Sequence, residues 1–349
     1  MGNLLDYLAW RGDLPLERVP FCPVDGLALS VLSYARFEGM VPEGMSGPVP
    51  LGRAAEACLT RFPDRREAAL LRALADAPRF ARMELCRYAD RFVPREETQF
   101  AALTVFPGDG CAFLAFRGTD GTLVGWKEDF NLSFMDVVPA QLEAAEYVRD
   151  LAAVFPGPLR LGGHSKGGNL AVAGACLSAM KVRDRIGEVW SFDGPGLNPY
   201  LLGRPGYEEL HTRIRSYVPK SSVVGQLLLH EEPYAVVDSS QRGLFQHDPY
   251  SWQVLGPDFV RLEEVDAGSR LIDRTLKSWL AGLTNGQRET VVDTLYELLS
   301  SGDAKTVKEA LEPSNLAHAL LSALDADPKD LLTVASSLAR LAGAAFRAL

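Results

Sequence analysis

"LGGHSKGGNLAVAG", Leu161 to Gly174, places a serine between two close glycines just after an apolar run. Gly163-His164-Ser165-Lys166-Gly167 is a G-x-S-x-G pentapeptide. A strand-to-helix turn this tight holds the serine in a strained backbone conformation and admits only small neighbours. It presents the hydroxyl at the carboxyl end of a sheet and the amino end of a helix, whose dipole favours developing negative charge. The pentapeptide alone is common. Here the strand-like "LRLGG" precedes it and the small-residue helix "GGNLAVAGACLSAM" follows it, which is the context the motif needs. The plainer alternative is a serine that merely closes a polar turn.

The flanking pattern sets this turn in an α/β chain. "FAALTVF" (Phe100 to Phe106) and "CAFLAF" (Cys111 to Phe116) read as buried strands ahead of it, and "QLEAAEYVRDLAAVF" as an amphipathic helix. "VWSFDGPG", "IRSYVP" and "YAVVDSS" continue the strand series behind it. Strands alternating with helices predict a mostly parallel sheet covered on both faces, here over residues 99–262. Residues 1–98 read as an N-terminal helical segment packed on that core. Residues 263–349 read as a C-terminal helical extension, with Leu271, Leu276, Trp279, Leu280 and Leu283 at helical spacing and Thr284 and Gln287 in a capping box. Either flanking segment could form a lid or a dimer contact.

Composition narrows the function. The 349 residues carry 36 basic and 45 acidic side chains, a net charge of -9, which argues against nucleic acid as the main partner. Five scattered cysteines without C-x-x-C spacing suit a reducing compartment, so a cytoplasmic location is expected. No signal-peptide pattern opens the chain, and no apolar run of about 18 residues occurs. Histidines without paired spacing predict no metal site, and "GGHSKGG" lacks the spacing of a phosphate loop, so no cofactor is expected.

A nucleophilic serine needs a base, an acid and two oxyanion donors. His164 adjoins the serine along the backbone and reads as a packed turn residue. His247 lies in the loop after the last strand, "QRGLFQHDPYSW", where a base downstream of the serine belongs; His230 precedes that strand and would emerge at its wrong end. No Asp or Glu occurs between Ile214 and Leu229, after the penultimate strand, where the acid is usually found. Asp193 in "SFDGPG", one strand earlier, is the favoured acid, and Asp238 is its rival. The Lys166 amide supplies one oxyanion donor and Thr119, in "AFRGTDGT", the other.

Together these residues resemble the class 3 lipase family of α/β-hydrolases. Phe116, Arg117, Gly118 and Thr119 match its oxyanion loop, Trp126 and Asp129 the pair that follows, and His164, Ser165, Gly167 and Gly168 its elbow. "SKGGNLA", "FDGPGLN" and "QHD" are closer still to the Mbeg1-like (DUF2974) branch. The resemblance implies an α/β-hydrolase fold and a serine hydrolase, esterase- or lipase-like, acting on acyl esters or lipids through Ser165, His247 and Asp193. Two departures stand out. Class 3 lipases carry the acid where this chain has "PKSSVVG", and an acid one strand earlier resembles the pancreatic lipase arrangement. They also carry an apolar residue after the nucleophile, where Lys166 reads as a solvated lysine or as one facing an anionic substrate group. A catalytically silent scaffold used for binding, and a thioesterase or peptidase with the same residues, are the alternatives.

Overall fold

In the computed structural model, which describes residues 2–63 and 66–348, nine strands form one sheet in chain order. They are β1 (Val49–Pro50), β2 (Glu84–Val93), β3 (Thr98–Phe106), β4 (Ala112–Phe116), β5 (Leu159–His164), β6 (Ile186–Phe192), β7 (Ile214–Pro219), β8 (Tyr234–Val237) and, at the far edge, β11 (Arg261–Leu262). β9 (Val254–Leu255) and β10 (Asp258–Phe259) form a separate ribbon. The central strands β4 to β8 run parallel, and β1, β2, β3 and β11 pair antiparallel at the margins.

β2 and the short β1 lie in the stretch read from sequence as helical, so the sheet reaches well before residue 99. The cause is visible in "ELCRYADRFV". Its far end is exposed and its register shifts between Cys86 and Ala89, which breaks the apolar alternation that marks a strand.

Because the parallel strands follow one another in chain order, right-handed crossovers put their helices on one face. Pro139–Val154 and Lys166–Leu177 pack there against Leu114, Phe116, Leu161 and Val189. The other face carries Phe113, Ala115, Trp190 and Phe192, and it would be bare without the N-terminal helices. Pro23–Leu32 is buried throughout after its first residue. Gly26 meets the Trp190 ring so closely that a Cβ would lie 2.5 Å from it. Asp25 on this helix forms a buried bidentate pair with Arg79, which also donates to the carbonyls of Leu14, Val19 and Pro20.

The C-terminal residues form the helices Ala267–Ala281, Asn285–Ser300, Val307–Ala310, Pro313–Asp325 and Pro328–Ala348, the second opened by the Thr284–Gln287 capping box. Asn285–Ser300 lies on the helix Leu123–Asn131, tied by Lys127 Nζ to Asp293 at 2.8 Å. These helices thus stand over the carboxyl ends of the strands. Among the described residues no helix is long and apolar enough to cross a membrane.

Candidate active site

Ser165 directly follows β5 and adopts φ +59°, ψ -136°, a region strongly disfavoured for any residue with a Cβ. The glycines around it answer a steric demand. A Cβ on Gly163 would lie 2.2 Å from the Gly167 carbonyl carbon, and one on Gly167 2.1 Å from the Phe116 oxygen. Gly118 lets the loop after β4 approach the elbow, since a Cβ there would come within 3.0 Å of the Ser165 Cβ. The Ser165 amide bonds the Phe192 carbonyl and the Asp193 amide the Tyr217 carbonyl, so both residues sit on rigid sheet ends.

His247 closes a short turn, Gly243–His247, after β8. Its Nε2 lies 3.0 Å from Ser165 Oγ and its Nδ1 2.7 Å from Asp193 Oδ2. Asp193 is fully buried, at φ +49° just beyond β6. Its second oxygen accepts from the Ser222 hydroxyl at 2.5 Å and the Gly225 amide at 3.1 Å. The segment 220–229 after β7, which holds no Asp or Glu, therefore contributes the groups that orient Asp193 from the neighbouring strand. Asp238 accepts the amide of Ser239 and takes no part in this line.

His164 is buried against the back of His247. Its Nε2 lies 2.8 Å from the His247 carbonyl and so donates to it, which leaves Nδ1 to accept from the Tyr34 hydroxyl at 3.1 Å. Burial, followed by the neighbouring His247 charge, holds its pKa well below the usual histidine range. A neutral imidazole thus props the loop that carries His247. Tyr34 and Ser222 carry no motif that marks a supporting role in the sequence. His230, which bonds Glu232, lies apart.

Thr119 follows β4, and its hydroxyl donates to Asp129 Oδ2 at 2.6 Å. Burial pushes the Asp129 carboxyl up to about 6, against the smaller opposing pull of Lys166. Lys166 corrects an expectation: its side chain is neither solvated nor turned toward a substrate. Its ammonium is buried and donates to Gln99 O, Gln99 Oε1 and Glu128 Oε2, each at 2.9 Å. Glu128 also accepts the amides of Gln99 at 3.1 Å and Ala140 at 2.9 Å. The carboxylate that makes burial of the lysine tolerable stands 38 residues away, beyond the reach of local pattern.

Two cavities adjoin the serine. An apolar one of about 400 Å³ is walled largely by the C-terminal helices, with Leu276, Trp279 and Leu295 facing Trp126 and Leu228. A smaller one of about 150 Å³ is lined by Tyr34, Arg66, Thr119, His164, His247 and Tyr250 among others.

A sheet with parallel central strands, helices on both faces and a serine at a strained strand-to-helix turn defines an α/β-hydrolase fold. Within that class, residues 74–297 match the Mbeg1-like family, and the chain belongs to it. No curated protein matches it. Among solved structures it is similar to the Rhizomucor miehei lipase propeptide complex (14% identity, 71% of this chain and 76% of that one, TM-score 0.41). It is also similar to lipase II from Rhizopus niveus (17%, 52% and 75%, TM-score 0.35). A third is a triacylglycerol lipase described as having a serine protease triad as its catalytic centre (15%, 62% and 78%, TM-score 0.37).

Proposed function

We propose that this protein is a serine hydrolase of carboxylic esters. His247 Nε2 takes the Ser165 proton as the oxygen attacks the acyl carbon, and Asp193 holds the imidazole in the tautomer that can do so. The main-chain amides of Thr119 and Lys166 receive the oxyanion, near the amino end of the helix Lys166–Leu177. Protonated His247 then gives its proton to the departing alcohol, and water repeats the sequence on the acyl-enzyme.

The observation that carries the reading is the continuous line from Ser165 Oγ through His247 to a buried Asp193, at 3.0 and 2.7 Å. It also weighs against a scaffold kept only for binding, in which nothing would maintain a strained serine opposite a doubly anchored imidazole. The test is covalent. A small fluorophosphonate should label the wild type at Ser165 and leave Ser165→Ala unlabelled, and the wild type should hydrolyse p-nitrophenyl acetate. A folded wild type that resists the reagent would refute the proposal.

A further inference from the structure

Ser165 lines both cavities beside the elbow, and it is the one residue of the line that does. The two differ in chemistry. On one side Leu276, Trp279, Leu280, Val292, Leu295 and Leu228 offer little but carbon. On the other stand Tyr34, Arg66, Glu67 and Tyr250, with His164 and His247. His247, the group that must hand a proton to a leaving alcohol, opens to the polar chamber and is absent from the apolar walls. The direction of the reaction therefore assigns the two spaces: the alcohol leaves on the polar side, and the acyl chain lies on the apolar side.

Size then limits the substrate. A volume of about 400 Å³ is at the small end of ligand cavities, which run about 300–1,000 Å³, and it accommodates one unbranched acyl chain. Beside the serine the alcohol side has about 150 Å³ and charged walls, and past His247 it continues into a shallower space of about 340 Å³ that shares Arg66 and His164. A leaving diacylglycerol would have to lay two chains past Arg66, Glu67 and the two histidines, and each methylene left without apolar contact forfeits about fourfold in affinity. A small polyol suits it. The Tyr250 hydroxyl is buried on this side with no hydrogen-bond partner among the described residues. Such a group favours an alcohol that can complete its bonding.

Resting on the hydrolase reading above, we infer that the substrate is a monoacyl ester of a small polyol, split by Ser165 between the two chambers. The acyl chain lies beneath the C-terminal helices, and the polyol lies against Tyr34 and Tyr250.

The experiment compares kcat/KM for 1-monoacylglycerols of increasing chain length, the matching methyl esters and dispersed triacylglycerols. For monoacylglycerols it should climb by up to about fourfold per methylene until the cavity is full, then fall. Triacylglycerols should be at least about a hundredfold poorer, the equivalent of three to four such steps. Leu276→Trp narrows the apolar side and should lower the dodecanoyl-to-acetyl ratio at least about tenfold. Tyr250→Phe should lower the glyceryl-to-methyl ester ratio about three- to tenfold, the worth of one hydrogen bond. Phosphonate labelling of Ser165 checks each variant for an intact site, and Val292→Phe serves if Leu276→Trp does not fold. Triacylglycerols cleaved as well as monoacylglycerols, or ratios that do not move in labelled variants, would overturn the inference while leaving the hydrolase reading in place. Failure of labelling in the wild type would instead remove the hydrolase reading itself.

Discussion

Replacing Glu128 by glutamine leaves side-chain shape nearly unchanged and deletes the negative charge that faces the Lys166 ammonium at 2.9 Å. The lysine cannot retreat to water, because its side chain is 1% exposed and that of Glu128 0%. It keeps two neutral acceptors, Gln99 O and Oε1, both at 2.9 Å. Removing one partner of a pair this buried strands the other charge and costs about 3–5 kcal/mol, a large part of the 5–15 kcal/mol that holds a typical domain together. Glu128→Gln should therefore unfold at much lower urea, read as a shift in the midpoint with the slope unchanged. Adding Lys166→Met removes the stranded cation, and the double variant should regain about 2 kcal/mol over Glu128→Gln. A single variant that loses less than about 1 kcal/mol, or a double variant no better than the single, would refute the account of this pair.

Asp193→Asn should reduce kcat by about 10³- to 10⁴-fold at neutral pH, because the amide can hold the imidazole in the wrong tautomer; Asp238→Asn should stay within about twofold, and the reverse order would reassign the acid. Ser165→Gly and Ser165→Ala both lose the hydroxyl, but only glycine accepts φ +59°, ψ -136°; Ser165→Gly should be the more stable by about 1 kcal/mol in denaturant titration, and equality would mean the elbow is not strained. Asp129 has its pKa raised from 3.8 to about 6, so its contribution to stability is fully present below about 4 and is lost as pH rises through 6. Asp129→Asn should accordingly gain on the wild type between those values, by up to about 3 kcal/mol above pH 6, measured as unfolding free energy against pH.

The parallel core was legible because its strands are short apolar runs, buried on both faces and separated by helices of clear period, as at Ala112–Phe116 and Leu159–His164. β2 was not, because a strand with one exposed end and a shifted register has no clean alternation. At the site, Ser165, His247 and Asp193 were each assigned from position relative to a strand end, and the structure brings these three side chains into one hydrogen-bonded line. What escaped were side chains whose role depends on a distant partner. The Lys166 side chain needs Glu128, Tyr34 acts through His164, and Ser222 through Asp193. Nothing local to Lys166, Tyr34 or Ser222 distinguishes it from a surface residue. The apolar cavity escaped for the same reason, since its walls come from both sides of the strand series.

The one-sided crossovers set a schedule for synthesis. The helix Pro23–Leu32 leaves the ribosome before its cover, for the Trp190 ring against which Gly26 packs is encoded 164 positions later (190 minus 26). At about 5–20 residues per second, that apolar helix waits on the order of 10–30 seconds for the sheet face that will cover it. That helix is therefore left uncovered until the strands are made, and slowing translation between Leu32 and Trp190 should cost more yield than slowing it after β8.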